Sequence, residues 1–231
     1  MNTVVKKPRY SLSLCMAILV GSASLMISIP SSAGSSSPSL HARSTDLAKI
    51  RASTNQFKKI ENALGAGYIS SIDLGAGCST AESEGHPSQL GAMGIHLVDL
   101  QDFGSPEFDF HNPSVLVYVP KSPNAQCSYT TDELMNNKSC RDNLSLAAVE
   151  EVVFAHLIDV EEREGYWDNV PTFHEQQFYY LHDNPSTFWV DEAHGFPPHY
   201  ALHIWLFKHN PAGLFAPWNP RVKCPDSLSH H

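Results

Sequence analysis

The amino-acid sequence predicts an α+β fold, in which an antiparallel sheet is covered by an N-terminal amphipathic helix and stapled by disulfide bonds. Three observations predict it: one helical pattern comes first, several β-rich runs follow it, and an even number of cysteines remains after a predicted export segment. The chain has 231 residues, 42% hydrophobic and 17% charged, which suits one globular domain. This composition excludes a disordered tail and a collagen-like fibre.

Residues 1–33 have the pattern of a signal peptide. Basic residues lie between Lys6 and Arg9, a mostly apolar stretch covers residues 11–29, and the small residues Ser31-Ser32-Ala33 follow. We expect cleavage after Ala33. The apolar stretch is short for a membrane span and contains Ser and Gly, and an uncleaved anchor is the alternative interpretation. The protein is predicted to be secreted (extracellular, or periplasmic in a Gram-negative source) and to have no membrane segment after cleavage.

The residues that follow are predicted to form one acidic domain. Removal of residues 1–33 leaves 198 residues, and because that segment contains three Lys or Arg and no acidic residue, the net charge changes from −9 to −12. Such a charge gives no basic footprint for nucleic acid, so no nucleic-acid partner is expected. Ser and Pro dominate residues 35–39, so residues 34–43 are predicted to be a flexible lead-in and residues 44–231 a single secreted domain.

The domain is predicted to begin with an amphipathic helix from Ser44 to Leu64. Ser44 is suited to capping its start and Gly65 to ending it. The apolar residues recur at intervals of three, four and seven, which is the spacing of one helix face; they are Leu47, Ile50, Phe57, Ile60 and Leu64. The region 67–92, which is rich in Gly and Ser, is predicted to be a loop.

Four runs are predicted to form the strands of the sheet. Apolar residues rich in β-branched and aromatic types dominate them, and together with the helix they predict an antiparallel sheet. The third run is also compatible with a buried helix, but its β-branched residues favour a strand. The predicted strands cover residues 94–98, 114–119, 146–157 and 200–207.

Four cysteines remain after cleavage, and in an exported chain this predicts disulfide bonds. Cys127 and Cys140 bracket a polar segment with turn residues, so we pair them across a surface loop, which leaves Cys78 to pair with Cys224. The second bond closes a long loop of the unfolded chain, worth roughly 4 kcal/mol in the entropic model. A zinc site is the alternative, and the lack of any Cys-x-x-Cys spacing argues against it.

Three segments of the chain carry a family resemblance. They are Ala92-Met93-Gly94-Ile95-His96, the strand Pro113-Ser114-Val115-Leu116-Val117-Tyr118-Val119-Pro120, and Tyr200-Ala201-Leu202-His203-Ile204-Trp205 leading to Asn210-Pro211-Ala212-Gly213-Leu214-Phe215-Ala216-Pro217-Trp218-Asn219-Pro220 and Cys224. From about Phe57 to Cys224 the chain resembles a family of uncharacterised secreted proteins that is widespread in bacteria and also occurs in fungi. The resemblance implies export and this fold, and it implies no particular activity.

The sequence departs from that family in the middle of the chain. The family's Met-Gly-x-His and Leu-His-x-Trp segments are kept. Its third segment, Val-Glu followed by an aromatic residue, corresponds to Val149-Glu150-Glu151, which has an acidic residue in the aromatic position. The cysteine loop before it resembles an insertion.

His96, Glu150 and His203 are the candidate metal ligands. Because alternate residues of a strand share a face, His203 and Glu150 fall on largely apolar faces and His96 lies beside Val98. An ionisable group in such a place needs a partner. If the three strands are neighbours, two imidazoles and one carboxylate can converge on Zn, Fe(II) or another transition metal. The alternative is that each His is a core residue hydrogen-bonded to backbone or tyrosine groups.

Other histidines and catalytic motifs are weaker candidates. His199 shares the parity of His203 and is either an outer ligand or a loop residue. The segment starting at His174 begins like a zinc-protease helix but lacks the second His of that motif. The chain has no Gly-x-x-x-x-Gly-Lys-Ser/Thr phosphate loop and no Gly-x-Ser-x-Gly nucleophile motif. Nucleotide chemistry and serine-hydrolase chemistry are therefore not expected.

The aromatic C-terminal segment has two interpretations. His203 and Trp205 share a strand face, and Phe215 and Trp218 follow among Asn-Pro turns. Together the four residues can form a recognition pocket for a carbohydrate or an apolar ligand. The other interpretation is a hydrophobic clasp that packs the C terminus over the sheet and positions Cys224, because aromatic rings fill cores as readily as binding sites.

Two functions from different classes follow from the sequence. The first is an extracellular binding or structural protein with a pocket at His203, Trp205, Phe215 and Trp218 that takes a small ligand or a carbohydrate. The second is a metal-dependent enzyme with a two-His, one-carboxylate site. The presence of a stoichiometric metal distinguishes them.

Overall fold

The computed structural model of the protein describes residues 40–158, 170–182, 196–225 and 228. The described residues belong to one compact unit, and among them no helix has the length and apolar character needed to cross a bilayer. Its helices are α1 (Leu40–Thr54), α2 (Ile60–Gly65), α3 (Thr131–Asn136) and α4 (Lys138–Asn143). Its strands are β1 (Ile69–Ser70), β2 (Ser79–Thr80), β3 (Ala92–Val98), β4 (Val115–Pro120), β5 (Leu144–Phe154), β6 (Thr172–Phe173), β7 (Gln176–Gln177), β8 (Tyr179–Leu181) and β9 (His199–Ile204).

Seven of these strands form one antiparallel sheet, which confirms the predicted α+β fold class. The strand order is β1-β3-β4-β5-β9-β8, and β2 also pairs with β3. Strands β6 and β7 form a separate hairpin. The predicted signal peptide, residues 1–33, and residues 34–39 of the predicted lead-in lie outside the described residues.

The two faces of the sheet differ in the size of their side chains. One face packs large residues with α1 and α2 in the main core, including Ile95, Leu97, Leu116, Tyr118, Leu202 and Ile204. The opposite face packs a second cluster built mainly from small residues, including Val98, Val115, Val117, Ala148, Val152 and Ala201. The candidate metal ligands lie on this second face, because their register partners belong to it.

The N-terminal helical region differs from the predicted single helix over residues 44–64. Helix α1 begins at Leu40, within the predicted lead-in, and ends at Thr54, after which a 3₁₀ turn leads to α2. The hydroxyls of Ser53 and Thr54 both donate to the Ile50 carbonyl, at 3.0 and 2.7 Å. Side chains that bond back to the preceding turn compete with the helical backbone, which accounts for the break at this position.

The four predicted strands correspond to β3, β4, β5 and β9 and agree with them except at their ends, whereas β6, β7 and β8 were not predicted. The ambiguous third run is strand β5, which gives way to a 3₁₀ turn over Ala155–Leu157. Strand β9 ends at Ile204 rather than Phe207, because the next amide, that of Trp205, donates to Leu214 outside the sheet. The predicted loop over residues 67–92 includes the short strands β1 and β2.

Both predicted cysteine pairs lie at disulfide distance. The Cα atoms of Cys78 and Cys224 are 5.6 Å apart, and those of Cys127 and Cys140 are 5.7 Å apart. The predicted surface loop between the second pair is instead helical, because the side chains of Thr130 and Asn137 cap α3 and α4. Two disulfide bonds suit a protein that folds in an oxidising compartment.

Gly94 lies where the backbones of the paired strands β3 and β4 come close together, and its replacement tests this close approach. Its φ of +126° is unfavourable for other residues, and an added Cβ would lie 2.5 Å from the Tyr118 carbonyl oxygen. We expect Gly94→Ala to lower the free energy of unfolding by about 2 kcal/mol or more. Gly65→Ala is the control: its Cβ meets nothing within 4 Å, so unfolding should cost the same or up to about 1 kcal/mol more. Denaturant titration with intact disulfides measures the free energy of unfolding of both variants. Equal changes in the two variants would contradict a steric need for glycine at position 94.

The Glu133 carboxylate organises the start of α3, which predicts a pH-dependent stability. Although burial raises its pKa, hydrogen bonds from the Tyr129 and Ser128 amides and the Ser128 hydroxyl lower the pKa by more. Its contribution is therefore present above the unfolded-state value near 4.5 and is lost as pH falls through the folded pKa.

We expect Glu133→Gln to lower the free energy of unfolding by about 1 kcal/mol at pH 7, which is the usual scale of a helix cap. The difference from the parent should shrink below pH 4. Asp132→Asn is the control on the same helix turn, where the side-chain oxygen that accepts from Asn136 is kept. A difference that stays constant between pH 7 and pH 3 would contradict the role of the carboxylate.

Candidate metal centre

The sheet register places His96, Glu150 and His203 on one face. Glu150 of β5 is directly opposite His203 of β9, and on its other side it pairs with Val115 of β4. Val115 in turn pairs with Val98 of β3, two residues from His96. Paired residues and residues two apart share a face, so all three polar side chains project to the same side.

Small side chains leave the space in which these three groups meet. His96 is two strands away from Glu150, and the positions between them on β4 are Val115 and Val117. The partner of Val117 on β5 is Ala148, beside Glu150. Because these Val and Ala side chains are short, the longer imidazole and carboxylate side chains extend past them and meet. The small residues on this face therefore determine where the three polar groups come together.

The three groups converge on one carboxylate oxygen. Glu150 Oε2 lies 3.3 Å from His96 Nε2 and 3.5 Å from His203 Nε2, and one ligand atom from each residue lies within 4.8 Å of the others. Donor atoms that surround a tetrahedral ion at bond lengths of about 2.1 Å are separated by about 3.4 Å. The observed separations therefore suit a shared ion.

The site is deeply buried, which opposes charge on each group. Glu150 is 5% exposed and His203 is 2% exposed. Burial, together with the charges of Glu151 and Glu84, raises the pKa of the Glu150 carboxyl to about 8. Burial and the nearby His96 hold the pKa of His203 well below its usual value. The short distances from Glu150 to both imidazoles favour ion pairs, but the cost of burying charge outweighs them without a further cation.

A divalent cation reverses this balance. A cation stabilises the Glu150 carboxylate, and the neutral imidazole that burial favours at His203 is the form that binds a metal. Two imidazoles and one carboxylate suit Zn, and the same set with open positions suits non-haem Fe(II). Within the described part of the chain, the other group with ligand spacing is Cys127, Glu133 and Cys140, whose cysteines form a disulfide.

A mainly apolar cavity adjoins the centre. Its volume is about 60 Å³, and His96 and Glu150 both line it. Its apolar lining includes Met93, Val98, Phe103, Val115, Val152 and Leu181. His199 also lines the cavity, and its Nδ1 lies 3.0 Å from the Pro197 carbonyl oxygen, so it belongs to the wall rather than to the group of converging ligands.

Two polar residues near the site were not predicted from the sequence. Ser71 lines the cavity and is 3% exposed, and Glu84 is 4% exposed and close enough to influence the pKa of Glu150. Both come from the region predicted as a loop, where no periodic pattern indicates which side chains turn inward. Glu151, the residue after Glu150, points to the opposite face and accepts hydrogen bonds from Asp109 N and Ser114 Oγ.

None of the four aromatic and histidine candidates for a recognition pocket lines the apolar cavity beside His96 and Glu150. The Trp205 indole stacks near His203 and donates to the Ala216 carbonyl at 2.7 Å, so it fixes the C-terminal segment. Phe215 belongs to the main core with α1 and carries Arg43 over its ring. Trp218 packs against His86, away from the cavity lining. These contacts are those of the clasp interpretation.

His174 lies in a turn rather than in a zinc-protease helix. It connects β6 to β7, and its Nε2 is 2.9 Å from Asp46 Oδ2, while His111 Nε2 is 3.3 Å from Asp46 Oδ1. The three residues are linked through one carboxylate, but they do not converge as a set of ligands within the described chain.

Comparisons with known proteins give no functional information for this chain. No protein-family model, no curated protein and no solved structure matches it. The geometry and chemistry of the site are therefore the basis on which a function can be proposed.

Proposed function

We propose that the protein binds one divalent transition metal ion through His96, Glu150 and His203 and is a metal-dependent enzyme. The observation that carries the proposal is the convergence of both imidazole Nε2 atoms on Glu150 Oε2, at 3.3 and 3.5 Å, beside a cavity that Glu150 and His96 line. Three protein ligands leave coordination positions open, which is typical of catalytic rather than structural sites.

An unsatisfied nitrogen atom also supports a metal ligand at this position. His203 Nε2 is buried and has no hydrogen-bond partner among the described residues. A buried polar atom without a partner costs about 1–3 kcal/mol, so a fold that retains one needs a reason. Coordination of an ion supplies that reason, because the ion then binds the lone pair of the neutral imidazole.

The protein's contribution to catalysis is to hold the ion in a dry site open to the cavity. A bound divalent ion of this kind activates water or polarises a carbonyl group, and iron in the same ligand set also supports oxidation chemistry. The ligand set is compatible with both Zn and Fe(II), which we propose as the candidate metals. The reaction class depends on which of them the protein retains.

A second candidate function is a binding protein without a metal. The apolar cavity favours it, because such a cavity binds small molecules whether or not an ion is beside it. In that case the three residues form a buried polar group in which a protonated Glu150 lies between the two imidazoles. Metal analysis distinguishes this function from the first.

We also propose that the protein is exported and that residues 1–33 are removed. The signal-peptide pattern of those residues and the two cysteine pairs at disulfide distance support this location. The resemblance of residues 92–96, 113–120 and 200–224 to a family of secreted proteins also favours this location.

Replacement of Glu150 tests the metal centre. We expect the protein purified without added metal or chelator to retain close to one equivalent of Zn or Fe by elemental analysis. Glu150→Gln keeps the volume and removes the carboxylate, and it should weaken Zn affinity by on the order of 100-fold or more, beyond what loss of an outer hydrogen bond does. Calorimetric titration of the metal-free protein measures the affinity.

The neighbouring residue provides a matched control. Glu151→Gln changes the same group one position along β5, on the opposite face, and should leave Zn affinity within about twofold. His203→Ala should also weaken Zn affinity, and His209→Ala, which replaces an exposed histidine after β9, is its control. Absence of a stoichiometric metal together with equal affinities in Glu150→Gln and Glu151→Gln would overturn the proposal and favour the binding protein.

The N terminus of the secreted protein tests export. Full-length chain produced in a secreting host should be recovered outside the cytoplasm with Gly34 as its first residue by mass spectrometry. A variant that lacks residues 2–33 is the control and should stay inside the cell. An intact Met1 on protein in the membrane fraction would show that the segment is an anchor instead.

A further inference from the structure

The cavity beside the candidate metal centre has the composition of a small-molecule pocket. We propose that it is the substrate pocket of the centre and that it takes a small, uncharged, mainly apolar molecule with one hydroxyl or carbonyl group, which Ser71 binds. The substrate role rests on the proposed function, whereas the selectivity of the pocket depends on Ser71 and the apolar walls.

The position of the cavity connects it with the centre. Glu150 and His96 form part of its wall, so a molecule inside it lies against the groups that would hold the ion. His96 is the more accessible of the two imidazoles, with 13% of its side chain exposed against 3% for His203. The centre is therefore closed on the side of His203 and open on the side of the cavity.

The walls of the cavity select an apolar molecule. Val98, Val115 and Val152 project into it from the sheet, and an aromatic group covers one side. In that group the Phe103 ring meets Phe196 with a centroid distance of 5.3 Å, and both residues line the cavity. Transfer of an apolar group from water to such walls is favourable.

The charges around the cavity select against ionised molecules. Among the described residues that line it there is no Lys or Arg, so the walls away from the centre offer an anion no positive side chain. A charged group held against these walls would lose its hydration without gaining a partner of opposite charge. The favoured molecule is therefore neutral.

Ser71 provides the polar contact. Ser71 lines the cavity, and its hydroxyl is buried and has no hydrogen-bond partner among the described residues. The preceding residue, Ser70, differs, because its hydroxyl accepts from the Ile72 amide and caps the 3₁₀ turn. The Ser71 hydroxyl thus has no capping role of this kind. A hydroxyl or carbonyl group of a ligand would supply its missing hydrogen-bond partner.

Benzyl alcohol and toluene are probes that differ by one hydroxyl group, and methionine methyl groups report their binding. After removal of residues 1–33 the chain has two methionines: Met93 lines the cavity, and Met135 is 62% exposed on α3. In an NMR titration of protein with ¹³C-labelled Met methyl groups, both probes should shift Met93 and leave Met135 unchanged. No shift of Met93 at millimolar probe would overturn the pocket.

The variants separate polar from apolar recognition. Ser71→Ala should weaken benzyl alcohol binding by about five- to tenfold, the effect of one hydrogen bond, and leave toluene binding within twofold. Ser88→Ala, at an exposed position, is the matched control and should change neither. Equal losses for both probes in Ser71→Ala, or no loss for either, would overturn the role of Ser71.

Filling the cavity distinguishes this inference from the proposed function. Ala76→Leu and Leu181→Phe add bulk from two different walls and should each weaken both probes at least tenfold while Zn affinity stays within about threefold. With Co(II) in place of Zn, saturating benzyl alcohol should change the visible spectrum of the parent and not that of Ala76→Leu. If Zn binds but the fillings leave probe affinity unchanged, the pocket is refuted and the metal centre stands. If the probes bind as expected but Co(II) and Zn do not bind, the metal centre is refuted, and with it the substrate role.

Discussion

The cross-strand pairing of Glu150 with His203 is the contact on which the rest of the site depends. It brings a carboxylate and an imidazole together on a buried face of the sheet, where water does not hydrate either group. A shift of register by one residue would turn Glu150 to the other face and bring Glu151 in its place. The neighbouring pairs between β5 and β9, which are backbone bonds, therefore fix the chemistry of the site as well as the shape of the sheet.

The two faces of the sheet differ in role: one carries the main core, and the other carries the candidate metal centre and the cavity. Large residues such as Leu116 and Tyr118 fill the face beneath α1 and α2, and the Tyr118 hydroxyl donates to the Phe57 carbonyl at 2.6 Å. The other face keeps Val and Ala where larger residues would fill the space that the imidazoles and the cavity occupy. Dense packing on one face lets the other leave a cavity without loss of the fold.

Strand alternation carried most of the information that the sequence contained about this site. It placed His96, Glu150 and His203 on one side of their strands, and only the strand order, which depends on long-range pairing, could bring them together. Ser71 and Glu84 escaped prediction because loop residues have no periodicity that tells inside from outside. The sequence does not reveal where Phe215 lies, because the chain leaves the sheet after Ile204 and Phe215 packs in the main core.

The bond between Cys78 and Cys224 has a consequence for the integrity of the polypeptide. The two cysteines are 146 residues apart, and His96, Glu150 and His203 all lie between them. The site is thus contained in one covalent ring of chain. A protease that cuts the backbone once anywhere inside this ring leaves two fragments still joined at the sulfur atoms, so a nicked molecule keeps His96, Glu150 and His203 in one particle.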